Sequence, residues 1–130
     1  MHLAAMKIPR YGGTLQTLEV NVNGRAMSAD LYESAIHIKA NASGKIGTIY
    51  ELEIVYAGLL KIEKAPPLAI EQMLLINGPA LVFPFVRRLV ADITREGGFP
   101  PLLLDPIDFG ALYMRRKQEE AAKGGLIKTS

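Results

Sequence analysis

The sequence predicts an α+β fold: an antiparallel sheet of three to four strands with a long and a shorter helix packed on one face. Two observations lead there. Every stretch with a period of two lies before Pro66-Pro67, and every stretch with a helical period lies after it. The links between the alternating stretches are short, which favours an antiparallel meander with one dry and one wet face. The 130 residues make a single domain, 1–130, large enough to bury a core.

The strands come first. Met1 to Thr14 reads as an irregular arm, punctuated by Pro9 and Gly12-Gly13, with room for a short strand at Leu3 to Ile8. Gln16 to Asn23 alternates: Leu18, Val20 and Val22 point one way, Thr17, Glu19, Asn21 and Asn23 the other. Asn23-Gly24 reads as the start of a turn. Leu31 to Ala42 alternates again, with Tyr32, Ile36 and Ile38 inward and Glu33, His37 and Lys39 outward. Asn41 to Gly47 is a connection rich in small residues. Thr48 to Leu60 then carries Tyr50, Leu52, Ile54 and Tyr56 inward and Glu51, Glu53 and Val55 outward, with a bend or bulge expected at Ala57-Gly58.

The helices follow. Leu68 to Ile76 is a short helix with Ile70, Met73 and Leu74 on its apolar side. The long helix runs from Pro79 to Glu96, with Asn77 as its cap, Pro79 in its first turn and Gly97-Gly98 as its stop. Pro84 should bend its start. Leu81, Phe85 and Leu89 form one apolar row, and Val82, Val86, Val90 and Ile93 an adjoining one. Together they cover more than one face, so this helix needs two partners: its own domain and another subunit. Phe99 to Leu104 is extended, because Pro100 and Pro101 forbid helix. Asp105-Pro106 starts the last helix, with Asp105 as cap. Its far half carries the spaced pairs Arg115 with Glu119, Arg116 with Glu120 and Glu119 with Lys123. Gly124-Gly125 ends it, leaving 124–130 as a loose tail.

The composition excludes much chemistry. Hydrophobic residues are 49% and charged residues 22%, so the chain is globular. A net charge of +2 gives no argument for nucleic acid. The absence of cysteine removes thiol catalysis, disulfides and thiolate metal sites, and fits a reducing cytosol. The N-terminus has no signal-peptide core, and the apolar runs are broken by Glu71, Asn77 and Arg87, so none reads as a membrane span. His2 and His37 have no partner at ligand spacing; no metal is expected, and His37 reads as an exposed strand histidine. Ser28, Ser34 and Ser43 lack the glycine pattern of a nucleophile elbow, and no glycine-rich loop cradles a phosphate. Arg87-Arg88 reads as a polar stripe or interface pair, with anion binding the alternative. Glu51 and Glu53 share one strand face; they read as solvated surface or partner contact, with acid–base work the remote alternative. No catalytic residue and no cofactor is assigned.

What exceeds the needs of one core is apolar material. Phe99, Leu102, Leu103 and Leu104 lie in the extended segment, and Phe109, Leu112, Tyr113 and Met114 on the last helix. They read either as core or as a flexible apolar groove, a lining that suits promiscuous binding because it repacks.

Four runs carry a family likeness: Asp30-Leu31-Tyr32-Glu33, the stretch Tyr50 to Leu59, Phe83-Pro84-Phe85-Val86-Arg87-Arg88, and Gly97-Gly98-Phe99-Pro100-Pro101. In that order and spacing the chain resembles the SecB family of protein-export chaperones, over roughly Gln16 to Ala122. The resemblance implies a four-stranded antiparallel sheet backed by a long and a shorter helix. It implies a cytoplasmic homotetramer, a dimer of dimers with the long helices sandwiched between, which gives the rows Leu81, Phe85, Leu89 and Val82, Val86, Val90 a partner. It further implies ATP-independent holding of unfolded precursor polypeptides at Phe99, Leu102, Leu103, Phe109, Leu112 and Tyr113, and handover to the SecA ATPase. The SecA surface would be the open sheet face, with Glu53 on a docking acid and Glu51 beside it. The family's first strand, with its Lys-Asp and Phe-Glu signature, is not found ahead of Gln16, and the tail Lys-Gly-Gly-Leu-Ile-Lys-Thr-Ser is not acidic. The chain thus reads as truncated or as using its N-terminal arm in that strand's place. Those departures keep open a chaperone dedicated to one partner, such as an antitoxin, without SecA.

Overall fold

The computed structural model describes residues 6–10, 14–45 and 47–129, with side chains described for 17–45 and 47–123. Four strands form one antiparallel sheet in the order β1-β2-β3-β4: β1 Met6–Arg10, β2 Thr14–Ala26, β3 Leu31–Gly44 and β4 Gly47–Lys61. The predicted meander is therefore the observed topology, and the α+β class holds. The even-numbered residues of β2 to β4 face the helices: Val20, Ile38 and Ile54 lie in register, as do Val22, Ile36 and Tyr56. The odd-numbered ones face solvent, with Glu19, Lys39 and Glu53 in one row across the sheet.

Several boundaries differ from the sequence reading. The arm expected over 1–14 contains β1, paired with the start of β2 from Met6 opposite Leu18 to Arg10 opposite Thr14; Leu3 to Ala5 of the expected short strand lie outside the described residues. Pro9 does not prevent this, because a strand at the sheet's rim tolerates a missing N–H. Asn23-Gly24 is not a turn: β2 runs on to Ala26, and the chain reverses over the next four residues. Nor do Ala57-Gly58 bulge, since the one register shift between β3 and β4 falls at Ala42/Ser43. Both glycines serve close packing instead. A Cβ on Gly24 would stand 2.7 Å from the Leu74 Cβ, and one on Gly58 would stand 3.0 Å from a Val82 methyl. The expected connection Asn41 to Gly47 shrinks to a tight turn, because β3 continues to Gly44 and β4 begins at Gly47.

The expected short and long helices are one continuous body: α1 Pro67–Gln72, a π-helical turn Met73–Asn77, and α2 Gly78–Glu96. Asn77 makes no capping hydrogen bond and has helical dihedrals. The helix runs through Asn77 as part of the π turn, and two residues on stands Pro79. It has no N–H to give the Leu74 carbonyl five residues back, so a π turn there loses one bond. The buried Ser34 hydroxyl makes good that loss, donating to the Leu74 oxygen at 2.8 Å. The joined body Pro67–Glu96 is long and apolar enough to cross a membrane by length and composition, contrary to the expectation from its interruptions. In this fold its row Phe83, Val86, Val90 and Thr94 is buried on the sheet.

The last helix, α3, is Phe109–Thr129. It begins three residues later than expected, because Asp108 rather than Asp105 caps it: the Ala111 N–H donates to Asp108 Oδ1 at 3.0 Å. The helix also runs through Gly124-Gly125, where a stop and loose tail were expected; glycine lowers helix propensity by about 1 kcal/mol but does not forbid it. Phe109, Leu112 and Tyr113 close one end of the core, and the Phe109 ring meets Phe83 edge-on at 5.8 Å.

Candidate functional site

The two apolar rows of α2 part company in space. Val86 and Val90 are 0% exposed and belong to the core, with Phe83 between the sheet and α3. Leu81 and Phe85 are 65% and 60% exposed, and Leu89 and Ile93 lie on the same outer side. Val82 is half-buried at the border. A helix of 3.6 residues per turn cannot turn both rows toward one sheet, so the outer one is left to water. The residues named from the sequence as one interface are therefore of two kinds: Leu81, Phe85 and Leu89 are offered outward, whereas Val86 and Val90 are not.

The segment after α2 is held against it by one side chain. The Thr94 hydroxyl donates to the Val90 carbonyl at 2.9 Å and accepts the Leu102 N–H at 2.9 Å. This buried clip fixes the extended stretch Phe99 to Leu104, whose alternation sends Leu102 and Leu104 into the core and Leu103 outward, 51% exposed. Between this stretch and α2 lies an open groove of about 470 Å³, lined by Phe83, Pro84, Arg87, Arg88, Ala91, Leu103 and Pro106. It is an apolar trough with two guanidinium groups at its rim. Arg88 also reaches Asp92 at 3.7 Å. Phe99 is half-buried and packs on Tyr50 of β4 at 4.8 Å between ring centroids.

The six residues expected to line a client groove thus divide. Leu102, Phe109, Leu112 and Tyr113 are buried in the core in this conformation, not accessible. Phe99 and Leu103 remain at the surface. Pro84, Arg87 and Ala91 were missed as groove residues. Their spacing from Pro84 places them on one flank of α2, but nothing local told that flank from the merely solvated one.

The second place of interest is the open sheet face. A shallow depression of about 540 Å³ there is lined by Thr17, Glu19, Lys39, Asn41, Glu51 and Glu53, with strand backbone between. Glu51 accepts a hydrogen bond from the Asn41 amide at 3.3 Å. Glu53 lies 3.7 Å from Lys39 and 3.4 Å from His37 Nε2. Both acids face water on a wide polar surface with no enclosing wall. His37 is not the exposed histidine expected: it is half-buried, beside a cavity that Asn21 and Asn23 share with Arg116, Glu119, Glu120 and Lys123 of α3. Of the expected helix pairs, Arg116 with Glu120 is formed at 2.9 Å.

One polar cluster ties α3 to α1. The Tyr113 hydroxyl donates to Glu71 Oε2 at 2.6 Å, and the Lys117 ammonium lies 3.0 Å from Oε1 of the same carboxylate. The Tyr113 hydrogen bond first, and that of Lys117 second, hold the Glu71 carboxyl below its ordinary pKa. In return Glu71 pushes the Tyr113 phenol and the Lys117 ammonium up.

Comparison with known proteins gives these surfaces a context. The family described as "Preprotein translocase subunit SecB" matches residues 14–120. The protein-export protein SecB of Zymomonas mobilis is 41% identical over 79% of this chain and 63% of its own length. That of Hyphomonas neptunium is 44% identical over 82% of this chain and 66% of its own length. That of Azorhizobium caulinodans is 38% identical over 80% and 65%. The matched part of this chain therefore spans a little under two thirds of these relatives. Among solved structures, a SecB-like chaperone of Mycobacterium tuberculosis in complex with an antitoxin peptide superposes with a TM-score of 0.66, at 16% identity, over 82% of this chain and 86% of the other; that likeness is one of fold. With the family match running from the start of β2 well into α3, and relatives near two-fifths identical, the chain belongs to the SecB family.

Proposed function

We propose that this chain is an ATP-independent holding chaperone that keeps unfolded precursor polypeptides soluble for export and passes them to the SecA motor. The observation that carries the reading is the exposed apolar groove between α2 and the extended stretch, with Leu103 on one wall and Pro84 and Ala91 on the other. A holding protein needs no catalytic group. Each 100 Å² of client apolar surface taken from water contributes roughly 2.5 kcal/mol, and ordering the client opposes that gain. One groove of this size binds weakly. Several grooves on one oligomer act together through effective concentration, which is the use we assign to the outer row Leu81, Phe85 and Leu89: contact between copies, in a tetramer with α2 helices facing. A folded protein hides its apolar surface, so selection for unfolded chains follows without a sequence code. The rim residues Arg87 and Arg88 would favour clients with acidic flanks.

SecA docking is assigned to the open sheet face, at Glu53 with Glu51. Lys39 stands beside Glu53, so that face is less acidic than its glutamates alone make it, and docking there would weaken with salt. A chaperone dedicated to one partner is the second reading, favoured by the antitoxin-peptide complex of the fold neighbour; the higher identity to export proteins favours the first. A cytoplasmic site of action goes with either. The test is suppression of aggregation of a chemically unfolded precursor as it is diluted from denaturant, at a one-to-one ratio and without nucleotide, together with co-elution with SecA at low salt. Suppression with co-elution supports the export reading; suppression without it supports the dedicated one; no suppression at any ratio rejects both.

A further inference from the structure

We propose that Arg87 sets the register of polypeptide in the groove beside α2, by pairing with an acidic residue that stands two places from the apolar residue seated against Leu103. The groove is apolar at Phe83, Pro84, Ala91, Leu103 and Pro106 and cationic at Arg87 and Arg88. The two arginines are not equivalent. Arg88 lies 3.7 Å from Asp92, whose carboxylate also holds Arg95 at 2.9 Å. Among the described residues Arg87 has no ion-pair partner, so its charge is the one left for a ligand. Its side chain is exposed at the wall of an apolar trough, where a carboxylate gains from the charge and its neighbours from burial. The occupant is therefore an unfolded segment that is both apolar and acidic, and the inference rests on the polypeptide-holding reading.

The spacing follows from two repeats. Pro84, Arg87 and Ala91 lie on one flank of α2 and line the groove together. At a rise of about 1.5 Å per residue, Arg87 stands about 4.5 Å beyond Pro84, and Ala91 about 6 Å beyond Arg87. An extended chain rises about 3.3 Å per residue and turns every second side chain to the same side, so such side chains recur at roughly 6.6 Å. One step of that repeat matches the step from Arg87 to Ala91. A carboxylate set on Arg87 thus places the side chain two residues away over Ala91, with Leu103 as the opposite wall. A carboxylate next to the apolar residue points out of the groove when the apolar side chain points in. The flank from Pro84 to Ala91, about 10 Å long, holds roughly three residues of extended chain.

Three labelled, permanently unfolded peptides of equal length test this, each repeating its motif between Gly/Ser spacers. One has Asp two residues from Leu, one has the same composition with Asp and Leu adjacent, and one has Lys two residues from Leu. Wild type should bind the first more tightly than either of the others by about fivefold, the scale of one exposed ion pair. Arg87→Gln should erase that preference, Arg88→Gln should leave it, and Arg87→Glu should turn it toward the Lys peptide, each at unchanged thermal midpoint. Equal binding of the three peptides by wild type, or a preference that survives Arg87→Gln, would overturn the proposal and leave the holding reading standing. Failure of all three peptides and of a full-length unfolded precursor to bind would overturn both.

Discussion

Three side chains do work that a larger surface cannot. Ser34 replaces the hydrogen bond that Pro79 denies to Leu74, deep between β3 and the π turn. Ser34→Ala should lower stability by about 1–3 kcal/mol, the usual cost of a buried carbonyl left unpaired, as measured by denaturant midpoint at unchanged slope. Thr94 does the same for the Leu102 N–H, and Thr94→Val should loosen the groove wall while leaving the sheet intact. Hydrogen exchange confined to the stretch after α2 would report it; uniform exchange along the chain would refute it. Glu71 is the pH-sensitive member. Its carboxyl is depressed, so its stabilising contribution is present above the ordinary glutamate value of about 4.3 and is lost as pH falls through the lower folded value. Tyr113 and Lys117 are raised, so their contribution is present below their ordinary values and fades as pH rises through the folded ones. Acid should therefore release α3 from α1 only as pH falls below the ordinary glutamate value, and Glu71→Gln should abolish that step. Of these three roles the sequence disclosed none. Ser34 read only as a serine without an elbow, since its partner is 40 residues away.

Elements were far more legible than their ends. The alternation at Leu18, Val20 and Val22, and again at Leu52, Ile54 and Tyr56, gave the dry face correctly, because a strand's period of two leaves no other choice once one face must be buried. The boundaries failed where a local signal met a tertiary demand. Gly24 and Gly58 carry turn chemistry but are used for helix approach. Asn77 carries cap chemistry but is overrun by the π turn. At α2 the double apolar face was legible as a surplus, yet which row is inner depends on the sheet's position. That division makes a paired prediction. Leu81→Asp/Leu89→Asp should lower the solution mass by light scattering with little change in thermal midpoint. Val86→Ala should cost about 1–2 kcal/mol of stability and leave the mass unchanged. The reverse pattern would mean that the rows have been assigned the wrong way round.

At the scale of the whole molecule, a sheet with one helical layer leaves apolar surface in two places: the outer row of α2 with the groove at Leu103, and Val55 and Leu59 on β4. Recurring motifs made the family legible in the sequence, since Phe83 to Arg88 and Gly97 to Pro101 build α2's start and the turn into the groove wall. Which of the six expected lining residues stay at the surface was not legible, because helices and extended segments both present apolar side chains whether or not a core receives them. The account as a whole says that the groove at Leu103 takes unfolded chain. Calorimetric titration of wild type and Leu103→Glu with a reduced, permanently unfolded polypeptide tests this most directly. Wild type should bind with a negative heat-capacity change, as apolar burial requires, and Leu103→Glu should bind about tenfold more weakly at unchanged thermal midpoint. Equal affinity of the two proteins would contradict it.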